Sequence, residues 1–202
     1  MLEPTKITPS KYISFFVKCN SGNLLFPCVA SSSTFEDSWA ALHEQGGVAM
    51  QLLGDMHFAT KHNDRLFEEF DALTYCSQGE EADVRRKVQN VLAFKFERLE
   101  LAKGVIAIPT PGHRPGAVSY LVEMAEASVM FAGDSIWHDG SQWKALASKK
   151  NAKTMRDSLA ALKQESFQSL YVNSSVTNPT FSIKFESNKE KNDFLDELAA
   201  AL

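Results

Sequence analysis

Apolar positions along this chain fall into recognisable periods, and each period predicts an element. Compact apolar runs bounded by turn residues predict strands. Tyr12 to Cys19 and Leu24 to Val29 flank the turn Asn20-Ser21-Gly22-Asn23 and read as a first hairpin, while Val48 to Leu53, Ala72 to Tyr75, Val105 to Ile108 and Ser169 to Val172 read as further short strands. A looser alternation from Val91 to Leu101 is expected to be one more. Apolar residues at helical spacing predict four helices. The first starts at a cap on Ser33 or Thr34, carries Trp39 and Leu42 on its apolar side, runs to about Glu44 and stops at Gly46-Gly47. His62 to Phe70 follows a connecting loop from Asp55 to Lys61, with Leu66, Phe67 and Phe70 at core spacing. Ala152 to Lys163 puts Met155, Leu159 and Leu162 on one face, and Asn188 to Leu202 closes the chain.

The stretch from Thr110 to Trp137 adds chemistry to this pattern. Ala117 to Val122 and Ser128 to Ala132 are separated by the few residues around Met124 to Ala127, which predicts two antiparallel strands and a short turn. Pairing them brings their far ends together. His113 precedes the first run and Asp134 follows the second, so an imidazole and a carboxylate are expected at one sheet edge. Gly112, Gly116 and Gly133 flank them and permit the tight backbone paths by which strand ends present side chains to a shared ion.

Composition bounds the remainder. A chain of 202 residues with 44% hydrophobic content is expected to form one domain over 1–202 with a full core. A net charge of −4 and scattered Lys and Arg residues argue against nucleic acid as a partner. The opening MLEPTKITPSKY lacks the apolar stretch of a signal peptide, and no run has the length of a membrane helix, so a cytoplasmic protein without a membrane partner is expected. Homo-oligomerisation stays open. Cys19, Cys28 and Cys76 are odd in number and lack CxxC spacing, which predicts reduced buried thiols.

Pro109, Thr110, Pro111, Gly112, His113, Pro115 and Gly116, together with Phe131, Gly133 and Asp134, resemble the third and fourth motifs of the metallo-β-lactamase superfamily. That resemblance implies an α/β fold, the αβ/βα sandwich, and a metal centre acting on a small-molecule substrate. It also implies an H-x-H-x-D-H signature at Leu52 to His62, where this chain has Asp55 for the first histidine, keeps His57 as the second, and has Ala59 and Thr60 for the aspartate and the last histidine. The family's final histidine has no counterpart in Ser169 to Ser175. Sorted by site, Asp55, His57 and His113 are left for the first metal position and Asp134 alone for the second, which implies one divalent ion per chain, zinc by preference. Asp134 is expected to be a ligand or to orient water, with His113 beside it. His62 is either a compensating ligand or a solvated residue of the first helical turn, the latter being the expectation. Elsewhere, His43 reads as a cation at a helix C-terminus, His138 as a pocket or a surface residue, and Trp137 and Trp143 as packing. The implied reaction is hydrolysis of an ester, thioester, lactone or amide by metal-activated water. The rival reading is a binding or scaffold protein that keeps the fold without the chemistry.

Overall fold

A computed structural model describes residues 4–6, 13–19, 21–28, 32–125, 127–173 and 180–202. Strand alternation decides its layers. In β2 (Phe15–Val17) and β3 (Leu24–Phe26), Phe15, Val17, Leu24 and Phe26 join a central apolar cluster, while Phe16 and Leu25 join a second cluster on the opposite face. The same division recurs in β8 (Val105–Pro109), where Val105 and Ala107 face the centre and Ile106 and Ile108 face outward. Both faces of these strands are apolar, so each sheet is covered on both sides.

The first sheet has the order β1 (Thr5–Lys6), β2, β3, β4 (Met50–Leu52), β5 (Leu73–Ser77) and β6 (Val91–Phe94). β1 to β3 are antiparallel and β3 to β6 parallel. The second has the order β14 (Ser182–Lys184), β13 (Ser169–Tyr171), β10 (Ser128–Phe131), β9 (Val118–Glu123), β8 and β7 (Leu99–Ala102), with β10 and β13 its parallel pair. The predicted hairpin is present as β9 and β10, with Val118 to Glu123 running against Ser128 to Phe131. Between the sheets, Phe26 stacks on Phe131 with ring centroids 3.7 Å apart.

Helices cover the outer faces. Leu42 of α1 (Ser32–Glu44) and Leu66 of α2 (His62–Phe70) cover the first sheet around Phe16 and Leu25. Met155, Leu159 and Leu162 of α4 (Ala152–Lys163), with Leu195 and Leu198 of α5 (Asn188–Ala200), cover the second. The result is a helix, sheet, sheet, helix sandwich.

Five local features differ from the sequence reading. The single strand expected over Val91 to Leu101 is two, β6 in one sheet and β7 in the other, because alternation does not reveal a crossover between sheets. α3 (Glu81–Val84) is too short to carry a period, and β14 has one apolar residue to signal it. The ribbon of β11 (Ile136–His138) and β12 (Trp143–Ala145) follows the hairpin, in a segment where no strand was expected. α1 already includes Ser33 and Thr34, so neither precedes it as a cap. Tyr12, Asn20 and Val29 lie outside the described residues.

Candidate metal centre

Two glycines bring the carboxylates together. Gly54 lies two residues past β4 and Gly133 two past β10, and a Cβ at Gly54 would stand 3.2 Å from the Gly133 Cα. Gly133 also has φ +56°, a left-handed conformation that glycine adopts at little cost. The next residue in each chain segment is an aspartate, so this backbone contact delivers Asp55 and Asp134 to one place. Gly54 O further accepts from Val118 N at 2.8 Å, tying the end of β4 across to the start of β9.

Asp55 then opens a single 3₁₀ turn, Met56–Phe58, and its Oδ1 accepts from His57 N at 2.8 Å as a side-chain cap. That bond holds the buried carboxylate and sets His57 beside it. His113 comes from the loop before β9. There Gly112 has φ +142° and packs against Met155 of α4, while Gly112 O accepts from Asn151 Nδ2 and Pro111 O from Ser158 Oγ. Helix α4 thereby holds the loop from outside, and Thr110 Oγ1 bonds Ser119 Oγ from within at 3.0 Å.

The four side chains converge. His57 Nδ1 lies 3.1 Å from His113 Nε2, 3.2 Å from Asp55 Oδ1 and 3.8 Å from Asp134 Oδ2, and His113 Nε2 lies 3.7 Å from Asp55 Oδ2. One ligand atom from each residue falls within 4.8 Å of the others. A tetrahedral ion with bonds of about 2.0–2.2 Å holds its ligand atoms roughly 3.3–3.6 Å apart, so these separations suit a single small cation. Asp55 is buried and Asp134 mostly so, at 1% and 16% side-chain exposure, whereas the His57 side chain is 46% exposed. The Asp55 hydrogen bond raises the His57 pKa above its usual value, with the Asp55 and Asp134 charges adding to it against partial desolvation. Cys28 is held neutral mainly by burial and then by the charges of Asp134 and Asp55, which sets a protonated thiol near the carboxylates.

Solved structures similar to this one include the MIM-2 metallo-β-lactamase, with a TM-score of 0.69 and 13% identity over 96% of this chain and 84% of that one. A class B3 di-zinc metallo-β-lactamase, LRA-12, from an Alaskan soil metagenome matches with a TM-score of 0.67 and 12% identity over 99% and 90%. A B3 metallo-β-lactamase with an active-site glutamic acid gives 0.68 and 11% over 97% and 85%. The chain has the metallo-β-lactamase fold. Its sequence matches no protein-family model and no curated relative.

Within that fold, the hairpin brings His113 and Asp134 to one edge, and Asp55 and His57 lie with them. Ala59 is buried and apolar, and Thr60 N and Oγ1 bond Asn63 Oδ1, so the positions of the missing signature ligands are occupied by packing and a helix-entry bond. His62 is outside the cluster and is buried rather than solvated, because α2 turns it toward the core in its first turn. In the late segment where the family's final histidine has no counterpart, the Asn173 amide donates to Ile13 O and Phe26 O and links the end of β13 to the first sheet. Ser174 and Ser175 lie outside the described residues. His43 ends α1 with Nε2 at 3.1 Å from Glu69 Oε1. His138 is buried in β11, where its Nδ1 accepts from Gly140 N, and Trp143 packs edge-on against both His138 and Phe194. Cys28 and Cys76 are buried free thiols and Cys19 is half-buried; burial raises all three, that of Cys76 to about 12.

Sequence reasoning missed Glu80 and Arg114. Glu80 is 1% exposed at its side chain and contacts both loops of the cluster, and Arg114 Nη2 bonds Asp83 at 2.7 Å. Among the described residues no helix is long and apolar enough to cross a membrane.

Proposed function

We propose that this protein is a metal-dependent hydrolase of small-molecule substrates that uses one divalent ion per chain, zinc by preference, to cleave an ester, thioester, lactone or amide. The observation that carries the reading is the cluster of two imidazoles and two carboxylates, of which Asp55, His57 and His113 can hold one tetrahedral ion and leave its fourth position for water beside Asp134. Bound there, a divalent cation supplies a Lewis acid that lowers the pKa of water toward neutrality and polarises the oxygen of the bond under attack.

The chain's own residues have distinct tasks. Asp55 and His57 hold the ion from the end of β4, and His113 holds it from the loop before β9. Asp134 keeps access to solvent and takes up the proton that the attacking water loses, at Oδ2. The Asp55 carboxylate offsets part of the ion's formal charge, so the Lewis acid is weaker than one held by three histidines, and slow turnover follows. The fold's di-zinc representative LRA-12 has two ions; here Ala59 and Thr60 offer no comparable donors, which supports a single site.

Isothermal titration with zinc, manganese and ferrous ions, followed by ester and thioester hydrolysis assays, tests the proposal. One tight ion per chain with metal-dependent hydrolysis is expected. Two tight ions refute the single-site reading, and failure to bind any of them leaves the scaffold reading in place.

A further inference from the structure

A buried acid outside the cluster joins the two segments that form it. Glu80 lies just past the end of β5, in a turn where Glu80 N donates to Ser77 O. Its Oε2 accepts from Met56 N at 3.1 Å, and Met56 stands between Asp55 and His57. Its Oε1 accepts from Gly116 N at 3.1 Å, three residues beyond His113. Arg114, the residue after His113, places Nε 3.4 Å from Oε2 and turns its other nitrogen to Asp83 at 2.7 Å.

The backbones carrying these groups touch directly. A Cβ at Gly116 would lie 2.5 Å from the Gly79 carbonyl carbon, so the turn bearing Glu80 is seated against the His113 loop with no room for a side chain between them. One carboxylate, held out of water, therefore spans a segment of the first sheet and a loop of the second. Arg114 supplies the compensating charge that makes its burial tolerable.

We propose that Glu80 is a positioning residue of the metal centre, fixing the Asp55–His57 turn and the His113 loop at the spacing that one ion requires. This rests on the proposed metal binding, but the strut is also testable without metal. Both oxygens of a carboxylate accept, whereas an amide turns a donor toward one of the two backbone N–H groups. In Glu80→Gln one loop is therefore released while volume is kept. Loss of an outer partner of this kind weakens metal binding about 10- to 100-fold.

The test combines two readouts on wild type and Glu80→Gln. In the metal-free proteins, amide hydrogen exchange at Met56 or Gly116 is expected to rise at least about tenfold, while Leu121 and Val122 in β9 keep their wild-type rates. In the zinc titration, the Kd is expected to rise by about 10- to 100-fold with circular dichroism unchanged. Unchanged exchange, or an unchanged Kd in a wild type that binds zinc, overturns the proposal. If wild type binds no divalent ion, the proposed function fails by itself and the exchange rates alone decide the strut. Should Glu80→Gln not fold, Glu80→Asp keeps the charge for Arg114 but is one methylene too short to reach both segments, and the same selective exchange is expected of it.

Discussion

Replacing His113 with alanine separates metal binding from folding. The imidazole belongs to none of the four apolar clusters, and its polar contacts are with His57 and Asp55. Its removal deletes one of the three ligands, Asp55, His57 and His113, and takes nothing from the apolar clusters. At a free zinc concentration about 100 times the Kd, binding stabilises the native state by about 2.7 kcal/mol. Unfolding entropy of about 2.1 cal/mol/K per residue gives about 0.42 kcal/mol/K for 202 residues, so zinc is expected to raise the wild-type Tm by about 6 °C. In His113→Ala the same zinc concentration is expected to give a shift of less than about 1 °C, since a protein-held site normally needs at least three good ligands in place. The metal-free variant is expected to melt within about 2 °C of metal-free wild type, which corresponds to less than about 1 kcal/mol. Differential scanning calorimetry with and without zinc reads both quantities, and hydrolysis is expected to disappear with the shift. A full zinc shift in the variant would refute the ligand assignment. A metal-free variant melting far below wild type would mean that the loop serves the core instead.

Other consequences follow from named contacts. The His57 pKa is raised in the metal-free protein, chiefly by its hydrogen bond to Asp55, so the stabilisation it brings is full below the unfolded value near 6.5 and fades as pH rises through the higher folded value. Urea unfolding of metal-free wild type and His57→Gln is accordingly expected to diverge in favour of wild type as pH falls from 8 to 6, and a pH-independent difference contradicts this. Zinc affinity has the opposite trend, because the same proton competes with the ion. Gly116→Ala puts a methyl group 2.5 Å from backbone and is expected to cost about 1–3 kcal/mol or more in chemical denaturation; a cost below about 0.5 kcal/mol would show that the two turns can part. Tyr120 OH donates to Leu53 O at 2.7 Å in a buried position, just before the turn that carries Asp55, so Tyr120→Phe is expected to lose about 1–2 kcal/mol while leaving the zinc stoichiometry at one.

Much of this protein is legible without coordinates, for local reasons. The β9–β10 hairpin is encoded in two apolar runs and a short turn, and helices α2 and α4 in their apolar spacing, so each is specified by residues within one segment. His113 and Asp134 could be placed at one edge because hairpin pairing alone joins their ends. What lies between segments had no local signature. Glu80 sits in Gln78-Gly79-Glu80-Glu81-Ala82-Asp83, which reads as a solvated acidic run, and only the approach of Gly79 to Gly116 buries it between two loops. Asn173 and His62 are similar: polar residues that resemble site or surface groups in sequence acquire structural places once α2 and β13 are packed. Division of Val91 to Leu101 between two sheets was equally hidden, since alternation records which residues share a face but not which sheet the face belongs to. Periodicity and turn chemistry act over a few residues and are written in the chain, whereas burial of a charge and the spacing of four donors depend on segments far apart in sequence and are decided only when the two sheets close on one another.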